Sequence, residues 1–216
     1  RSAFLVLNSG ENIDLDNDKV LQLHESDGTI IEKANDQLNY ADQQVSKSDE
    51  ILHNTLVVPR GGEYSLTLSD GTQVFMNSMS KLVFPVHFGG NSREVTLEGE
   101  AYFKVSKDPH HPFIVHTNGM EVKVVGTSFN IKAYQDEGNI YTTLVEGIVK
   151  INQTGKSGRE WLLNPDQQAI FDKTGSGMEI RNVDASQYIQ WASGKYLFTD
   201  QSLDEIMKTL SRWYDF

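Results

Sequence analysis

Short stretches of alternating apolar and polar residues constrain this 216-residue chain more than any other feature. In residues 64–69 apolar side chains occupy every second position, and serine and threonine fill the positions between them. Successive side chains of an extended chain point to opposite faces, so this pattern predicts a strand with one packed and one wet face. Asp70-Gly71-Thr72 follows, and an Asp-Gly step tolerates the positive φ angles of a tight hairpin. The alternation resumes at Gln73–Met76, so we expect a β-hairpin here.

The same pattern recurs along most of the chain, up to about residue 183. Further predicted strands are residues 20–24, 29–32, 56–58, 93–97, 101–105, 113–116, 121–125, 129–134, 141–145, 148–151 and 178–183. Each of the five prolines lies at a plausible strand end. Many short strands at this spacing predict an all-β fold of antiparallel strands, arranged either as a sandwich or as a β-solenoid-like stack.

Weak internal repetition leaves two interpretations open. The residues around Gly10 match those around Gly71 at an offset of 61, and residues 97–99 resemble residues 145–147. Similar turn chemistry in hairpins of similar length is one explanation. Successive coils of a stacked β architecture are the other.

The pattern changes after Val183. Asp184 can cap a short helix that Gly194 closes, and residues 195–199 are predicted to form a strand. Ser202 and Glu205 then form a Ser-x-x-Glu capping box. An apolar helix face follows, made of Leu203, Ile206, Met207 and Leu210. These elements predict the start of a small α/β domain.

Acidic residues outnumber basic ones by 30 to 19, which gives a formal net charge of −11. This charge repels a phosphate backbone and no basic stripe opposes it, so nucleic acid is not an expected partner. No run of about 18 apolar residues is present, so the sequence predicts no membrane span. The chain has no cysteine, which excludes disulfide bonds, thiolate metal sites and a cysteine nucleophile.

Asp14, Asp16 and Asp18 have the spacing of a calcium-binding loop, with Glu25 at its twelfth position. The sixth position is Lys19, where the sharp turn of such a loop requires glycine. A solvated acidic turn is therefore the favoured interpretation, and we expect no metal or other cofactor.

Two further pairs of residues have side chains suited to metal binding or catalysis but lack the required spacing. His110 and His111 are adjacent, so on an extended chain they point to opposite faces and do not readily chelate one ion. Glu98 and Glu100 share a strand, whereas an acid/base pair for sugar hydrolysis must face across a cleft. We therefore expect no catalytic residue and no enzymatic activity.

One function to weigh is carbohydrate binding, because exposed aromatic side chains in a row can stack on sugars. The candidates are Tyr40, Tyr134, Tyr141 and Trp161. Aromatic residues at strand positions more often belong to the core or to cross-strand pairs.

Several ordered motifs resemble the FecR family. They are residues 57–64, 70–72, Asn77, 84–85, 93–95, 97–103, 112–113, 126–130 and 143–149, followed by Trp191, Gly194, Tyr196, Phe198 and residues 203–214. The resemblance covers about residues 55–216, and residues 1–54 fit a branch found in Gram-negative anaerobes. The boundaries it implies are N-terminal β-hairpins at 1–54, a FecR-like all-β domain at 55–183, and a partial C-terminal α/β signalling domain at 184–216.

The resemblance implies the periplasmic domain of a single-pass inner-membrane anti-sigma factor. Such a protein senses the signalling domain of a TonB-dependent outer-membrane transporter and holds an extracytoplasmic-function sigma factor through a cytoplasmic segment. We expect this chain to lack that segment, the membrane helix and most of the C-terminal domain. We place the partner contact at the strand edge around Tyr196 and Phe198, with Trp213 and Tyr214 as further candidates.

The string Gly126–Asn130 is specific to the resemblance, and we assign it to structure. Gly126 is expected to relieve a strand bend and Phe129 to enter the core. Asn130 is expected to satisfy nearby backbone groups.

Overall fold

A computed structural model describes residues 3–15, 21–40, 51–155, 159–174, 177–198 and 201–214. The all-β prediction is confirmed. The strands are β1 (Phe4–Val6), β2 (Asn12–Asp14), β3 (Leu21–His24), β4 (Ile30–Ala34), β5 (Gln37–Asn39), β6 (His53–Val58), β7 (Tyr64–Thr67), β8 (Gln73–Met76), β9 (Ser80–Pro85), β10 (Arg93–Lys104), β11 (Phe113–Thr117), β12 (Met120–Val124), β13 (Ser128–Ala133), β14 (Asn139–Glu146), β15 (Val149–Gln153), β16 (Glu160–Leu163), β17 (Gln167–Asp172) and β18 (Met178–Asn182). A 3-10 helix (Ala185–Ser193) and α1 (Leu203–Trp213) follow.

The strands form two sheets that share β10. Sheet A has the order β2-β1-β6-β9-β10-β11-β12-β15-β16. Sheet B has the order β3-β4-β5-β7-β8-β10-β13-β14-β17-β18. The described pairs are antiparallel except β5–β7 and β10–β11. Both sheets add strands nearly in chain order, so the chain winds back and forth between two layers. Because β10 belongs to both sheets, the 18 described strands form one continuous, mostly antiparallel sheet.

One continuous core joins the two sheets. Burial alternates along single strands, as in β6, where every second residue is buried. Leu5 and Ile31 from the N-terminal hairpins belong to the same buried cluster as Phe84 and Phe103. Each fully buried side chain of this size contributes about 1.5–3 kcal/mol through removal of apolar surface from water.

The repetition around Gly10 and Gly71 comes from turn chemistry. In both turns the glycine has a positive φ and donates its N–H to the carbonyl three residues earlier. Gly28 in the β3–β4 turn does the same, donating to Glu25. A third copy at a different spacing indicates a recurring hairpin turn.

Gly99 lies where β10 passes from sheet A to sheet B. Its φ is +97°, and an added Cβ would lie 2.6 Å from the Ser80 Cα. The Ser80 hydroxyl accepts from the Glu100 N–H and donates to the Glu100 carbonyl, which fixes the crossing. Gly147, the matching glycine of the second repeat, has a φ of +95° between β14 of sheet B and β15 of sheet A. The likeness of residues 97–99 and 145–147 therefore reflects two sheet crossings.

The structure differs from the sequence predictions in three ways. Six described strands, β1, β2, β5, β9, β16 and β17, were not predicted. The predicted strands 93–97 and 101–105 are the two halves of β10. The predicted strand at 195–199 is wrong over residues 195–198, which form no strand, and residue 199 lies outside the described residues. The Lys195 N–H donates to the Gln190 carbonyl, Tyr196 is held through its side chain, and no described strand pairs with these residues.

The expected burial of Phe129 is confirmed, whereas Gly126 lies in the bend that connects β12 to β13 rather than within a strand. Gly126 has a φ of +154°, and an added Cβ would lie 2.8 Å from the Lys107 Cα. Phe129 is fully buried and stacks on Phe103 with ring centroids 5.2 Å apart.

We expect Phe129→Ala to lower the free energy of unfolding by about 3–5 kcal/mol, because truncation leaves a cavity against Phe103. Urea denaturation monitored by circular dichroism measures this change. Val125→Ala, at an exposed position close by, should change stability by less than about 0.5 kcal/mol. A Phe129→Ala protein as stable as the parent would contradict the assigned packing role.

Candidate functional site

The C-terminal segment, defined as residues 184–198 and 201–214, covers part of the outer face of sheet B. Asp184 caps the 3-10 helix by accepting from the Ser186 N–H, and Gly194 ends it with a φ of +74°. Both predicted helix ends are confirmed. Ala185 and Trp191 are the buried residues of this helix.

Trp191 attaches the 3-10 helix to β13 and β10 through side chains. Its indole N–H donates to the Asn130 Oδ1 at 3.2 Å, and the Asn130 Nδ2 donates to the Glu100 Oε1 at 2.9 Å. Asn130 therefore contacts side chains rather than the backbone groups that we expected. Core residues Ala101 and Ile131 alternate with Glu100 and Asn130 along their strands, which places the polar pair on the outer face.

A parallel connection holds Tyr196. Its hydroxyl donates to the Asn77 Oδ1 at 3.2 Å, and the Asn77 Nδ2 donates to the Glu100 Oε2 at 2.9 Å. The Ser78 N–H also donates to the Asn77 Oδ1, which fixes the amide orientation. Glu100 thus accepts from two asparagines, each of which accepts from one aromatic side chain of the C-terminal segment.

Three of the four predicted contact residues lie together. The rings of Tyr196 and Trp213 meet edge to face at 4.9 Å, and Phe198 stacks on Tyr196 at 6.4 Å. Tyr214 follows directly and is 62% exposed. We name these three residues, together with the adjoining Tyr214, the aromatic cluster.

The helix α1 has the predicted capping box. The Ser202 hydroxyl accepts from the Glu205 N–H, and the Glu205 carboxylate accepts from the Ser202 N–H. The predicted apolar face is only partly covered, because Leu203 is 74% and Met207 43% exposed.

Arg212 is the buried residue of α1 and fixes the end of the helix. Its guanidinium pairs with Asp136 at 2.9 Å and with Glu137 at 2.8 Å, and it lies 3.7 Å above the centre of the Tyr134 ring. The Gly61 N–H donates to the Arg212 carbonyl at 2.9 Å. A charged side chain is rarely buried this deeply without partners. The charge of Arg212 is compensated by the Asp136 and Glu137 carboxylates and by the face of the Tyr134 ring.

Two carboxyl groups lie near Tyr196. Burial raises the pKa of Glu100. Lys132 and the two asparagines lower this pKa, but their combined effect is smaller than that of burial. Burial also raises the pKa of Glu63, whose Oε1 is buried without a hydrogen-bond partner. Both carboxyl groups raise the pKa of Tyr196, although its burial is the larger cause.

Sequence reasoning did not identify the residues that position this site. Asn77, Glu100, Asn130 and Trp191 carry the resemblance, but their mutual contacts span up to 61 residues of sequence. Arg212 has no sequence signal, because its partners lie more than 70 residues away.

The other candidate sites take structural roles. His111 pairs with Asp108 at 2.7 Å on the surface, and the Glu25 carboxylate accepts from the Asn54 Nδ2 at 2.6 Å. Asp16, Asp18 and Lys19 lie outside the described residues. In the described part of the chain, no three acidic or histidine side chains are grouped to hold a metal.

The remaining sequence candidates do not converge on a catalytic or sugar-binding site. Glu98 is exposed on sheet A, whereas Glu100 lies under the C-terminal segment on sheet B. Tyr40 and Tyr134 are buried, so neither offers a face to a sugar ring. No helix within the described ranges has the length and apolar character to cross a membrane.

A cleft of about 300 Å³ lies at the N-terminal end of β10. Arg93 lines it and pairs with Asp70 at 2.6 Å, while also donating to the carbonyls of Ser106 and His111. Arg93 therefore joins the loops that border the cleft.

A chelator should leave folding unchanged, because no described residue group holds a metal. Thermal unfolding with and without EDTA tests this, and both curves should have the same midpoint. A midpoint lowered by many degrees would reveal a structural metal.

Arg212→Ala should detach α1 from the β domain, with a loss of about 2 kcal/mol in docking free energy. Hydrogen exchange of the α1 amides measures this loss. Lys208→Ala removes an exposed pair with Asp204 on the same helix and should cost no more than about 0.5 kcal/mol. Equal exchange in the two variants would contradict the anchoring role of Arg212.

Comparisons with known proteins agree with this architecture. The model of the FecR protein family matches residues 54–150. Two crystal structures, at 2.50 and 1.65 Å resolution, assigned to a candidate anti-sigma factor from Parabacteroides distasonis ATCC 8503 are similar to the chain. Both have 32% sequence identity and a TM-score of 0.70. The first match covers 76% of this chain and 75% of that chain, and the second covers 74% of each. The curated proteins searched include no significant match.

The family match begins at the second residue of β6 and ends in β15, so it contains both halves of β10 and the Asn77–Glu100–Asn130 contacts. The similarity to the crystal structures extends over three quarters of both chains. The chain belongs to the FecR family.

Proposed function

We propose that this chain is the periplasmic portion of a transmembrane anti-sigma factor. In this proposal it relays a signal from a TonB-dependent outer-membrane transporter to an extracytoplasmic-function sigma factor. Membership in the FecR family and the similarity to structures assigned as anti-sigma factors support the regulatory role. The sigma factor is bound by a cytoplasmic segment of the full-length protein, and the role is protein binding rather than catalysis.

The partner contact is assigned to the C-terminal segment because apolar surface is concentrated there. Of the ten large hydrophobic side chains that are exposed in the described residues, four belong to this segment: Leu197, Leu203, Met207 and Tyr214. Clustered apolar exposure on a soluble protein marks interaction sites. We therefore propose that the signalling domain of the transporter binds at the C-terminal segment.

The mode of contact changes from the sequence expectation. Strand addition at residues 195–199 requires an exposed strand edge, and residues 195–198 are not a strand. An apolar patch made of the aromatic cluster and the exposed face of α1 is the contact we now propose.

Binding of the purified transporter signalling domain to the 216-residue chain tests the proposal. The transporter to use is the one encoded next to this protein. We expect Tyr214→Ala to weaken binding by about 30-fold, as truncation of an aromatic interface residue costs about 2 kcal/mol. Calorimetry or surface plasmon resonance measures the dissociation constant.

Ile148→Ala is the matched control, because Ile148 is 57% exposed on the β domain outside the C-terminal segment. Point variants are preferable to removal of the whole segment. Removal would break the Trp191–Asn130 hydrogen bond and expose Glu100, so that a loss of binding could not be assigned to one cause. Equal binding by Tyr214→Ala, Met207→Ala and the Ile148→Ala control would place the contact on the β domain. Absence of binding by the parent chain would contradict the partner itself.

A further inference from the structure

Two acidic side chains lie beneath the C-terminal segment where it meets the β domain. Glu63 follows the turn whose Gly61 N–H binds the Arg212 carbonyl, and its Oε1 is buried without a hydrogen-bond donor. Glu100 accepts from Asn77 and Asn130, the two amides that hold Tyr196 and Trp191. Burial and, to a smaller extent, both carboxyl groups raise the pKa of Tyr196, whose hydroxyl donates to Asn77.

We propose that Glu63, next to Glu100, makes the docking of the C-terminal segment responsive to protons. The ionised Glu63 carboxylate weakens docking, and its protonation strengthens docking. The regulatory meaning rests on the proposed function, since the segment carries the proposed partner contact.

The geometry explains why Glu63 is the responsive group. A buried carboxylate oxygen without a donor loses its hydration and gains no hydrogen bond, which is unfavourable for the charged form. Glu100 is also desolvated, but its two oxygens each accept from an amide, which offsets part of that cost. Undocking would return water to Glu63 and remove the unfavourable burial.

The direction of the pH effect follows from linkage. Burial in the docked state raises the pKa of Glu63 and of Glu100 above 4.5, and exposure in the undocked state would lower each towards that value. The docked state therefore binds more protons, so docking is strongest at acidic pH and weakens as pH rises through the docked-state pKa values. Each unit of pKa difference changes the docking equilibrium by up to about tenfold.

Other charged groups modulate this response without reversing its direction. Lys132 lowers the pKa of Glu100 and Glu137 raises it. The Tyr134 ring lies under Arg212, whose charge is compensated by Asp136 and Glu137. Burial raises the pKa of Glu63. Glu63 in turn contributes to the raised pKa of Tyr196.

Hydrogen exchange of residues 185–198 at pH 5 and pH 7.5, corrected for intrinsic exchange rates, tests the proposal on the whole chain. In the parent we expect protection to fall by several-fold, up to about tenfold per unit of pKa difference, between pH 5 and pH 7.5. In Glu63→Gln, protection at pH 7.5 should rise towards the pH 5 value, and the pH dependence should flatten. Glu98→Gln removes an exposed charge from β10 and should keep the parental profile.

A second measurement uses tryptophan fluorescence. The chain has three tryptophans, and Trp161→Phe leaves Trp191 and Trp213, both in the C-terminal segment. Acrylamide quenching in this background should increase from pH 5 to pH 7.5. The increase should be smaller when Glu63→Gln is added, with the remainder due to Glu100. Protection and quenching that do not vary with pH in the parent, or a Glu63→Gln profile equal to that of Glu98→Gln, would overturn the proposal. Neither measurement needs the partner, so its outcome is independent of whether the transporter domain binds.

Discussion

The passage of β10 from one sheet to the other determines the remainder of this structure. Among the described strands, β10 alone pairs in both sheets, and the change occurs at Gly99, where Ser80 leaves no room for a Cβ. Before the crossing, Val95 and Leu97 point into the core. After it, Ala101 and Phe103 do so. The alternation continues unbroken through Gly99, so Glu100 points away from the core, as Glu98 does. Because the strand has changed sheets by then, this direction places Glu100 on the outer side of sheet B. The crossing at Gly99 therefore lets one strand line the core in both sheets and places the polar centre under the C-terminal segment.

Local sequence signals predicted the parts of this fold that depend on local chemistry. Alternation and Asp-Gly turns identified the hairpins, and Asp184, Gly194 and Ser202 correctly marked helix ends. β17 was not predicted because the adjacent residues Gln168 and Ala169 are both buried, which breaks the alternation. Ala169 lies in the core, whereas Gln168 donates to the Thr143 hydroxyl and accepts from Arg181. The site was less predictable than the fold. Its aromatic residues were identified, but Arg212 acts through Asp136 and Glu137, and no local pattern encodes a pairing over that separation.

The attachment of the C-terminal segment differs in kind from the packing of the β domain. The core is a continuous cluster of fully buried apolar side chains, which is cooperative and insensitive to pH. The segment is held by directional contacts that include two aromatic-to-amide hydrogen bonds, one buried arginine, the backbone hydrogen bond from Gly61 to Arg212 and the hydrogen bond from the Ala185 N–H to Asp166. Each such contact contributes about 0.5–3 kcal/mol net. Regions of this type open at lower free energy than the global unfolding of the domain.

This difference in energy scale suits the relay that we propose. A partner that moves a two-state equilibrium from 1:99 to 99:1 must bind one state about 10⁴-fold more tightly, a difference of about 5.5 kcal/mol. A complex with micromolar affinity has a binding free energy of about −8 kcal/mol, so an ordinary transient contact is sufficient to redistribute a weakly attached segment. The same contact acts on the segment before the two-sheet core, because opening the core requires the full unfolding free energy of the domain, about 5–15 kcal/mol. In the proposed function, a signal would therefore change how the segment lies on sheet B while the β domain remains a fixed support.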